Sequence, residues 1–380
     1  MSCPCCRPGG DSCDEEEEEE EEEVGSFDMS MMKDRVQHLV DSGVKEIPPA
    51  YVRPFEERPV DVRTEQIPVV DLSGIDGKDR QSVRNQVGKA CEDWGFFQVV
   101  NHGVPGKVLD SMRNDGRAFF ALPMEYKLRY ACKPGVIASE GYGSKMLSKD
   151  DQLLDWRDYY DLHTLPLSRR RSSGWPDDPQ SFRETVLQYS HQMKLLAERI
   201  LELISESLGL PSSHLREALG DPSQNVSVNY YPPCPQPELT LGLQAHSDLG
   251  AITILMQADI AGLQVKKNGM WIAVEPVENA LVVNLGDMME VMSNGRYRSV
   301  EHRAVVNGDR DRLSVATFLD PAKDCLLTPA KELIDEEHPR LYKEVLFRDF
   351  ISAWYSKGPD GKRNIDSLKV IPSIESHQTS

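Results

Sequence analysis

The chain has no run of about eighteen consecutive apolar residues, the length a membrane-crossing helix needs. Its opening residues, among them Cys3, Pro4, Cys5, Pro8, Gly9 and Asp11, offer no apolar segment of the kind a secretory signal requires. A long Lys/Arg cluster is also missing. Formal net charge is -19, and Asp11, Asp14 and Glu15 to Glu23 against Arg7 supply -10 of it, which leaves -9 for the rest. That mild negative charge would repel a phosphate backbone, so no nucleic-acid partner is expected, and no membrane partner either. Cys3-Pro4-Cys5-Cys6 is too cramped to hold zinc alone, and no second Cys-X-X-Cys lies near it. Cys13 shares that N-terminal stretch, and the other cysteines, Cys91, Cys132, Cys234 and Cys325, are scattered, which points to a reducing compartment, most simply the cytosol.

What is present suits a globular protein: 380 residues, 39% hydrophobic and 28% charged. Residues 1–28 read as an acidic, cysteine-containing disordered tail, because the run Glu15 to Glu23 repels itself. Residues 29–224 read as helices around a few strands. An amphipathic stretch spans about Met29 to Ser42, a strand surrounds Val69-Val70, and Phe96 to Val100 forms another. Helical spacing runs over Arg80 to Trp94, Lys107 to Ala121 and Ser181 to Leu208. Residues 225–330 change character. Short β-rich runs at 226–231, 252–257, 262–267, 270–274, 280–285, 303–306 and 312–319, separated by Gly, Pro and Asn-Gly, indicate a sandwich or jelly roll. Residues 331–380 read as a helical cap and tail, with Phe347 to Tyr355 as the helix. The expected fold is mainly β with flanking helices.

One constellation stands out. His246-X-Asp248 is followed by His302, then by Arg312-X-Ser314. Two imidazoles and one carboxylate can occupy one face of an Fe(II) octahedron and leave adjacent positions open, whereas a structural zinc site is filled by four protein ligands. His-X-Asp alone is a weak signal. It sharpens because Arg312 and Ser314 alternate on a strand and therefore share a face. A planar two-donor guanidinium with a hydroxyl beside it suits the far carboxylate of a dicarboxylate with a keto group, namely 2-oxoglutarate. Asn229 and Tyr231 alternate in the same way and could donate to its oxygens.

The segments Trp94-Gly95-Phe96-Phe97-Gln98-Val99-Val100-Asn101-His102-Gly103, Glu140-Gly141-Tyr142-Gly143-Ser144 and Asn229-Tyr230-Tyr231-Pro232-Pro233-Cys234-Pro235 add to these motifs. So do His246-Ser247-Asp248, Ser299-Val300-Glu301-His302-Arg303 and Arg312-Leu313-Ser314. On these segments the chain, over about residues 45 to 360, resembles the plant-type 2-oxoglutarate and Fe(II)-dependent dioxygenases of specialised metabolism. It is similar to flavonoid oxygenases and to jasmonate-induced oxygenases. The resemblance implies a distorted double-stranded β-helix (a cupin-like jelly roll) with Fe(II) held by His246, Asp248 and His302. It implies 2-oxoglutarate held by Arg312, Ser314 and Tyr231, with Asn229 near the iron-bound end, and it makes His102 a packing residue. O2 and 2-oxoglutarate would be consumed, succinate and CO2 released, and ascorbate would support activity. No catalytic protein base is required.

The same resemblance sets Tyr142, Ser227, Phe318 and Asp320 around the organic substrate. Tyr142 and Phe318 could sandwich an aromatic ring, so the expected substrate is a small aromatic, flavonoid-like metabolite, hydroxylated or desaturated by a monomeric enzyme. The alternative within the family is a hormone oxidase of the jasmonate or gibberellin class. Jasmonate oxidases grip a carboxylate with arginines, and Ser227, Ile351 and Tyr355 stand at the corresponding positions here, which argues against that class. Outside oxygenase chemistry the alternatives are a noncatalytic interaction protein on the same barrel, or an iron oxidase that does not consume 2-oxoglutarate. The metal triad and the Arg/Ser pair together argue against both.

Overall fold

The computed structural model describes residues 30–33, 35–59, 62–133, 140–144, 153–257, 260–357 and 363–370. The acidic tail of the sequence reading lies outside them. Two sheets form the centre. The larger has eight strands in the spatial order Val69–Asp71, Phe96–Val100, Leu281–Leu285, Ile252–Met256, Arg312–Asp320, Ser223–Tyr231, Asp158–Leu165 and Gly141–Gly143. The smaller has five: Arg63–Thr64, Met270–Ala273, Leu263–Lys267, His302–Ala304 and Leu243–His246. Strands distant in sequence thus become neighbours, as in a double-stranded β-helix. The short runs after residue 225 form the strands their alternation predicts. The boundary drawn at residue 225 is not a break in the sheet, because Ser223–Tyr231 spans it and pairs with Asp158–Leu165 on one side and Arg312–Asp320 on the other.

Helices cover the outer face of the large sheet. Arg80–Asp93 buries Val83, Val87, Ala90 and Cys91, one stripe of a 3.6-residue period. Gly106–Ala121 buries Leu109, Met112, Phe119 and Phe120. It comes so close to the sheet at Gly116 that a Cβ there would lie 3.1 Å from Val228 and 3.3 Å from Leu313. Phe182–Ser207 packs across both. Phe119 is fully buried among Phe120, Tyr142, Tyr160 and Phe182. Truncating such a ring to alanine costs about 3–5 kcal/mol.

The amphipathic stretch expected to be continuous from Met29 to Ser42 is instead two short helices, Ser30–Lys33 and Val36–Asp41. Arg35 between them is extended, with φ -98° and ψ 132°. The cause is remote in sequence. The buried Asp158 carboxylate accepts from the Val36 N–H at 2.9 Å and the Gln37 N–H at 3.0 Å, restarting the helix there. It also accepts from the Tyr142 and Ser144 hydroxyls, which ties the N-terminal segment to the sheet. At the other end, helix Phe347–Lys357 brings Trp354 and Tyr355 to the wall of the central cavity. No helix among the described residues is long and apolar enough to cross a membrane.

Candidate active site

Strand pairing brings the sequence-predicted ligands together. His246 ends its strand and His302 begins another, and the two are register partners. Their rings lie 4.3 Å apart between centroids. Both Nε2 atoms stand 3.6 Å from Asp248 Oδ1, and the three ligand atoms all lie within 4.8 Å of one another. The other ring nitrogens fix the tautomers. His246 Nδ1 faces the Gln244 carbonyl at 2.8 Å and His302 Nδ1 faces that of Val300 at 3.2 Å. Each Nδ1–H donates outward, so each Nε2 presents a lone pair inward.

Asp248 is aimed in a similar way. Its Oδ2 accepts from Thr253 Oγ1 at 2.5 Å and from Asn284 Nδ2 at 2.7 Å, which leaves Oδ1 for the histidines. Burial works against this carboxylate, but the two imidazoles and these hydrogen bonds outweigh it and hold the acid below its ordinary value. Burial, with His302 alongside, pushes the His246 imidazole down to about 4, so at neutral pH it is an uncharged donor. The sequence reading missed Thr253 and Asn284. Asn284 carried a signal, as the polar member of the otherwise apolar strand Leu281–Leu285. His102 is a packing residue, with Nε2 at 3.1 Å from the Asn279 carbonyl and Nδ1 accepting from the Val104 N–H.

The triad opens into a cavity of about 420 Å³. Period-two alternation decides what lines it. From Arg312–Asp320 the residues Arg312, Ser314, Ala316, Phe318 and Asp320 face in; from Ser223–Tyr231 it is Asn225, Ser227, Asn229 and Tyr231. Arg312 is opposite Tyr231, and Ser314 is opposite Asn229. Arg312 is 4% exposed, its Cζ is 5.1 Å from the Tyr231 ring centroid, and its Nε has no hydrogen-bond partner. Burial lowers its pKa, and among the described residues no carboxylate pairs with it. Gly262 makes room for it, since a Cβ there would come within 2.7 Å of Cδ and Nε. A buried guanidinium without a protein anion, in the cavity of an open three-ligand metal site, is what a dicarboxylate cosubstrate would complete.

The substrate-side residues divide. Ser227, Phe318 and Asp320 line the cavity, but Tyr142 does not. Tyr142 is paired with Tyr160, and both project to the helical side of the sheet, where Tyr142 is fully buried against Phe119 and Phe120. Its flanking residues, Gly141 and Gly143, have the inward parity and no side chain. One half of the expected aromatic sandwich is therefore absent. Among the positions where the resemblance sets arginines, Ser227 and Tyr355 border the cavity and Ile351 packs against the core. Two half-buried acids stand on the substrate side. Burial pushes Asp161 up to about 6, and burial with Asp248 nearby pushes Asp320 up to about 7.

Fold and site together define a mononuclear non-haem iron oxygenase that uses a 2-oxo acid. The comparisons with known proteins agree. Residues 222–321 match the 2OG-Fe(II) oxygenase superfamily and residues 67–182 the N-terminal region of non-haem dioxygenases in morphine synthesis. The chain is 44% identical to jasmonate-induced oxygenase 4 of Arabidopsis thaliana over 342 residues, 88% of this chain and 96% of that protein. It is 43% identical to flavanone 3-dioxygenase 2 of Oryza sativa subsp. japonica over 348 residues, 90% of this chain and all of that one. A crystal structure of JOX2 in complex with 2OG, Fe and JA superposes with a TM-score of 0.83 at 39% identity, covering 89% of this chain and 98% of that one. The chain belongs to the 2OG-Fe(II) oxygenase superfamily, as a plant-type dioxygenase with Fe(II) as cofactor and 2-oxoglutarate as cosubstrate.

Proposed function

We propose that this enzyme oxidises a small carboxylate-bearing plant hormone of the jasmonate class. The hormone reading is preferred to the flavonoid one for two reasons. Three of its relatives are the jasmonate-induced oxygenases 4, 2 and 1, and JA is bound in the JOX2 structure. Phe318 also lacks Tyr142 as a partner across the cavity, so the motive for an aromatic sandwich is weakened. A flavonoid-like substrate is the second reading, favoured by the likeness to flavanone 3-dioxygenase 2.

In this reading His246, Asp248 and His302 hold Fe(II), and Arg312, Ser314 and Tyr231 hold the far carboxylate of 2-oxoglutarate. Asn229 stands by its metal-facing end. The bound metal, with O2 and the 2-oxo acid, supplies the oxidising power for removing a substrate hydrogen. The chain's own residues orient and enclose. Ser227, Phe318 and Asp320 shape the substrate side, and Trp354 with Tyr355 add to the wall, keeping water from the reacting atoms. We further read it as a cytosolic monomer, in keeping with Cys91, Cys132, Cys234 and Cys325 forming no disulfide among the described residues.

The observation that supports this best is the unneutralised Arg312 in the cavity of the triad. The test is succinate release with Fe(II), ascorbate and 2-oxoglutarate in the presence of jasmonic acid or of naringenin, with mass analysis of products. A hydroxylated jasmonate formed in step with succinate is expected. Turnover of naringenin alone would replace the hormone reading with the flavonoid one, and no substrate-dependent succinate from either would remove both.

A further inference from the structure

A second buried guanidinium borders the same cavity. Arg157 lies one residue before the strand Asp158–Leu165 and continues its inward row of Tyr159, Asp161 and His163. It is 4% exposed. Nη1 donates to Asn229 Oδ1 at 2.5 Å, and the guanidinium lies over the Tyr159 ring, 5.1 Å from its centroid. Nε has no hydrogen-bond partner. Among the described residues no carboxylate forms an ion pair with it. Asp155, two residues before, is held by Arg53 at 2.6 Å and by the Gln244 N–H at 2.9 Å. Asp161, four residues after, lies near the Ser227 hydroxyl and feels the Arg157 charge without forming an ion pair with it.

A guanidinium brings five donors and a full charge; one neutral amide oxygen leaves most of the donors unmet, and Asp155 and Asp161 act on the charge only at a distance, without a direct ion pair. Buried charges of this kind are paired, and the cavity is where a partner can enter. The position is close enough to the metal centre for the Arg157 charge to be felt at His246. Arg157 is also two strands away from Arg312, across Tyr231. The strand Ser223–Tyr231 runs between the two arginine-bearing segments, a backbone separation of about 10 Å at ordinary strand spacing. The residues that follow Arg157 inward, Asp161 and His163, lead away from Arg312.

We propose that Arg157 is the anion-recognition residue for the organic substrate, taking a carboxylate and so orienting the rest of the molecule toward the metal. This rests on the carboxylate-hormone reading above and names the residue that reading requires. Asn229 keeps the guanidinium plane in place from one side and the Tyr159 ring from another. Asp161, and Asp320 where it is ionised, disfavour a second anion in the remainder of the pocket, which favours a substrate with one acidic group and an otherwise neutral body.

The test compares jasmonic acid with methyl jasmonate, and indole-3-acetic acid with its methyl ester, as ligands of the iron- and 2-oxoglutarate-loaded protein without oxygen. The parent, Arg157→Gln, Arg157→Lys and Arg35→Gln are titrated side by side. Arg35 is the control because it is a buried guanidinium bordering the same cavity, placed 5.0 Å from the Tyr142 ring. The expected result is a preference of the parent for an acid over its ester of about 30-fold or more, lost in Arg157→Gln, partly kept in Arg157→Lys and intact in Arg35→Gln. The affinity for 2-oxoglutarate should be unchanged by Arg157→Gln. A preference that survives Arg157→Gln or follows Arg35, a parent with no preference or no binding of either acid, or a loss of 2-oxoglutarate binding instead would each overturn the assignment. Substrate-dependent succinate from naringenin in the same preparations would show that the oxygenase persists while the carboxylate reading falls.

Discussion

Arg312→Gln separates two effects that have opposite signs. In the parent without cosubstrate, the guanidinium is buried and lacks a protein anion. Replacing it with a neutral amide should therefore leave the cosubstrate-free protein at least as stable. With 2-oxoglutarate the order reverses. Truncating one partner of a buried charge pair costs about 2–5 kcal/mol, which is a loss of about 30-fold to several thousand-fold in affinity. At a concentration about 100 times its Kd, a ligand stabilises the parent by about 2.7 kcal/mol; if the variant binds about 100-fold more weakly, it gains only about 0.4 kcal/mol. Differential scanning fluorimetry with and without 2-oxoglutarate should show a ligand-induced rise in Tm in the parent that nearly vanishes in the variant. Anaerobic titration should find Fe(II) binding preserved. Gly262→Ala provides an independent check, because its new Cβ would press on Cδ and Nε of Arg312 without removing the charge. It should weaken 2-oxoglutarate by a smaller factor. Equal cosubstrate affinity in parent and Arg312→Gln would refute the reasoning outright.

Asp248→Ala should abolish both tight Fe(II) binding and substrate-dependent succinate, measured by anaerobic metal titration and succinate assay, because it removes the anionic ligand. Asn284→Ala leaves Thr253 alone to hold Oδ2, so Fe(II) affinity should fall by about 10- to 100-fold with the fold intact, as read by the same titration and by circular dichroism. Asp161→Asn should alter the pH dependence of stability. With its folded pKa raised from the ordinary 3.8 to about 6, Asp161 favours folding fully below about 3.8 and loses that contribution as pH rises through 6. The variant should accordingly gain on the parent across that window, by about 2 kcal/mol after allowance for partial exposure, in urea titrations at pH 4 and pH 7. Identical slopes of stability with pH would count against that account.

Much of this site was legible before any fold was known, and the reasons are local. Arg312 and Ser314, like Asn229 and Tyr231, are two residues apart on strands, so their shared face follows from the pleat alone. His246, Asp248 and His302 were recognisable as ligands because their residue types match an open iron site, and strand ends are where a barrel can gather them. The long helices were equally plain, since Val83, Val87, Ala90 and Cys91 repeat at helical spacing. Tyr142 shows the limit. Its motif indicated a cavity position, but which face of a three-residue strand points inward depends on its pairing with Tyr160. The strand Asp158–Leu165 was missed for a related reason, since Asp158 and Asp161 disfavour a strand locally and are tolerated only through partners that the fold supplies.

By itself, the sequence determined a β-rich sandwich or jelly roll, the metal-ligand set and the Arg/Ser pair, because each depends on residue type and short-range periodicity, and the family resemblance singled out the jelly roll. Tertiary structure alone decided the break at Arg35, the outward turn of Tyr142, the clamp of Thr253 and Asn284 on Asp248, and the unpaired charge of Arg157 in the cavity. The physical reason is common to all four. Each depends on which strand pairs with which and in what register, and a one-residue change of register sends a side chain to the other face of the sheet.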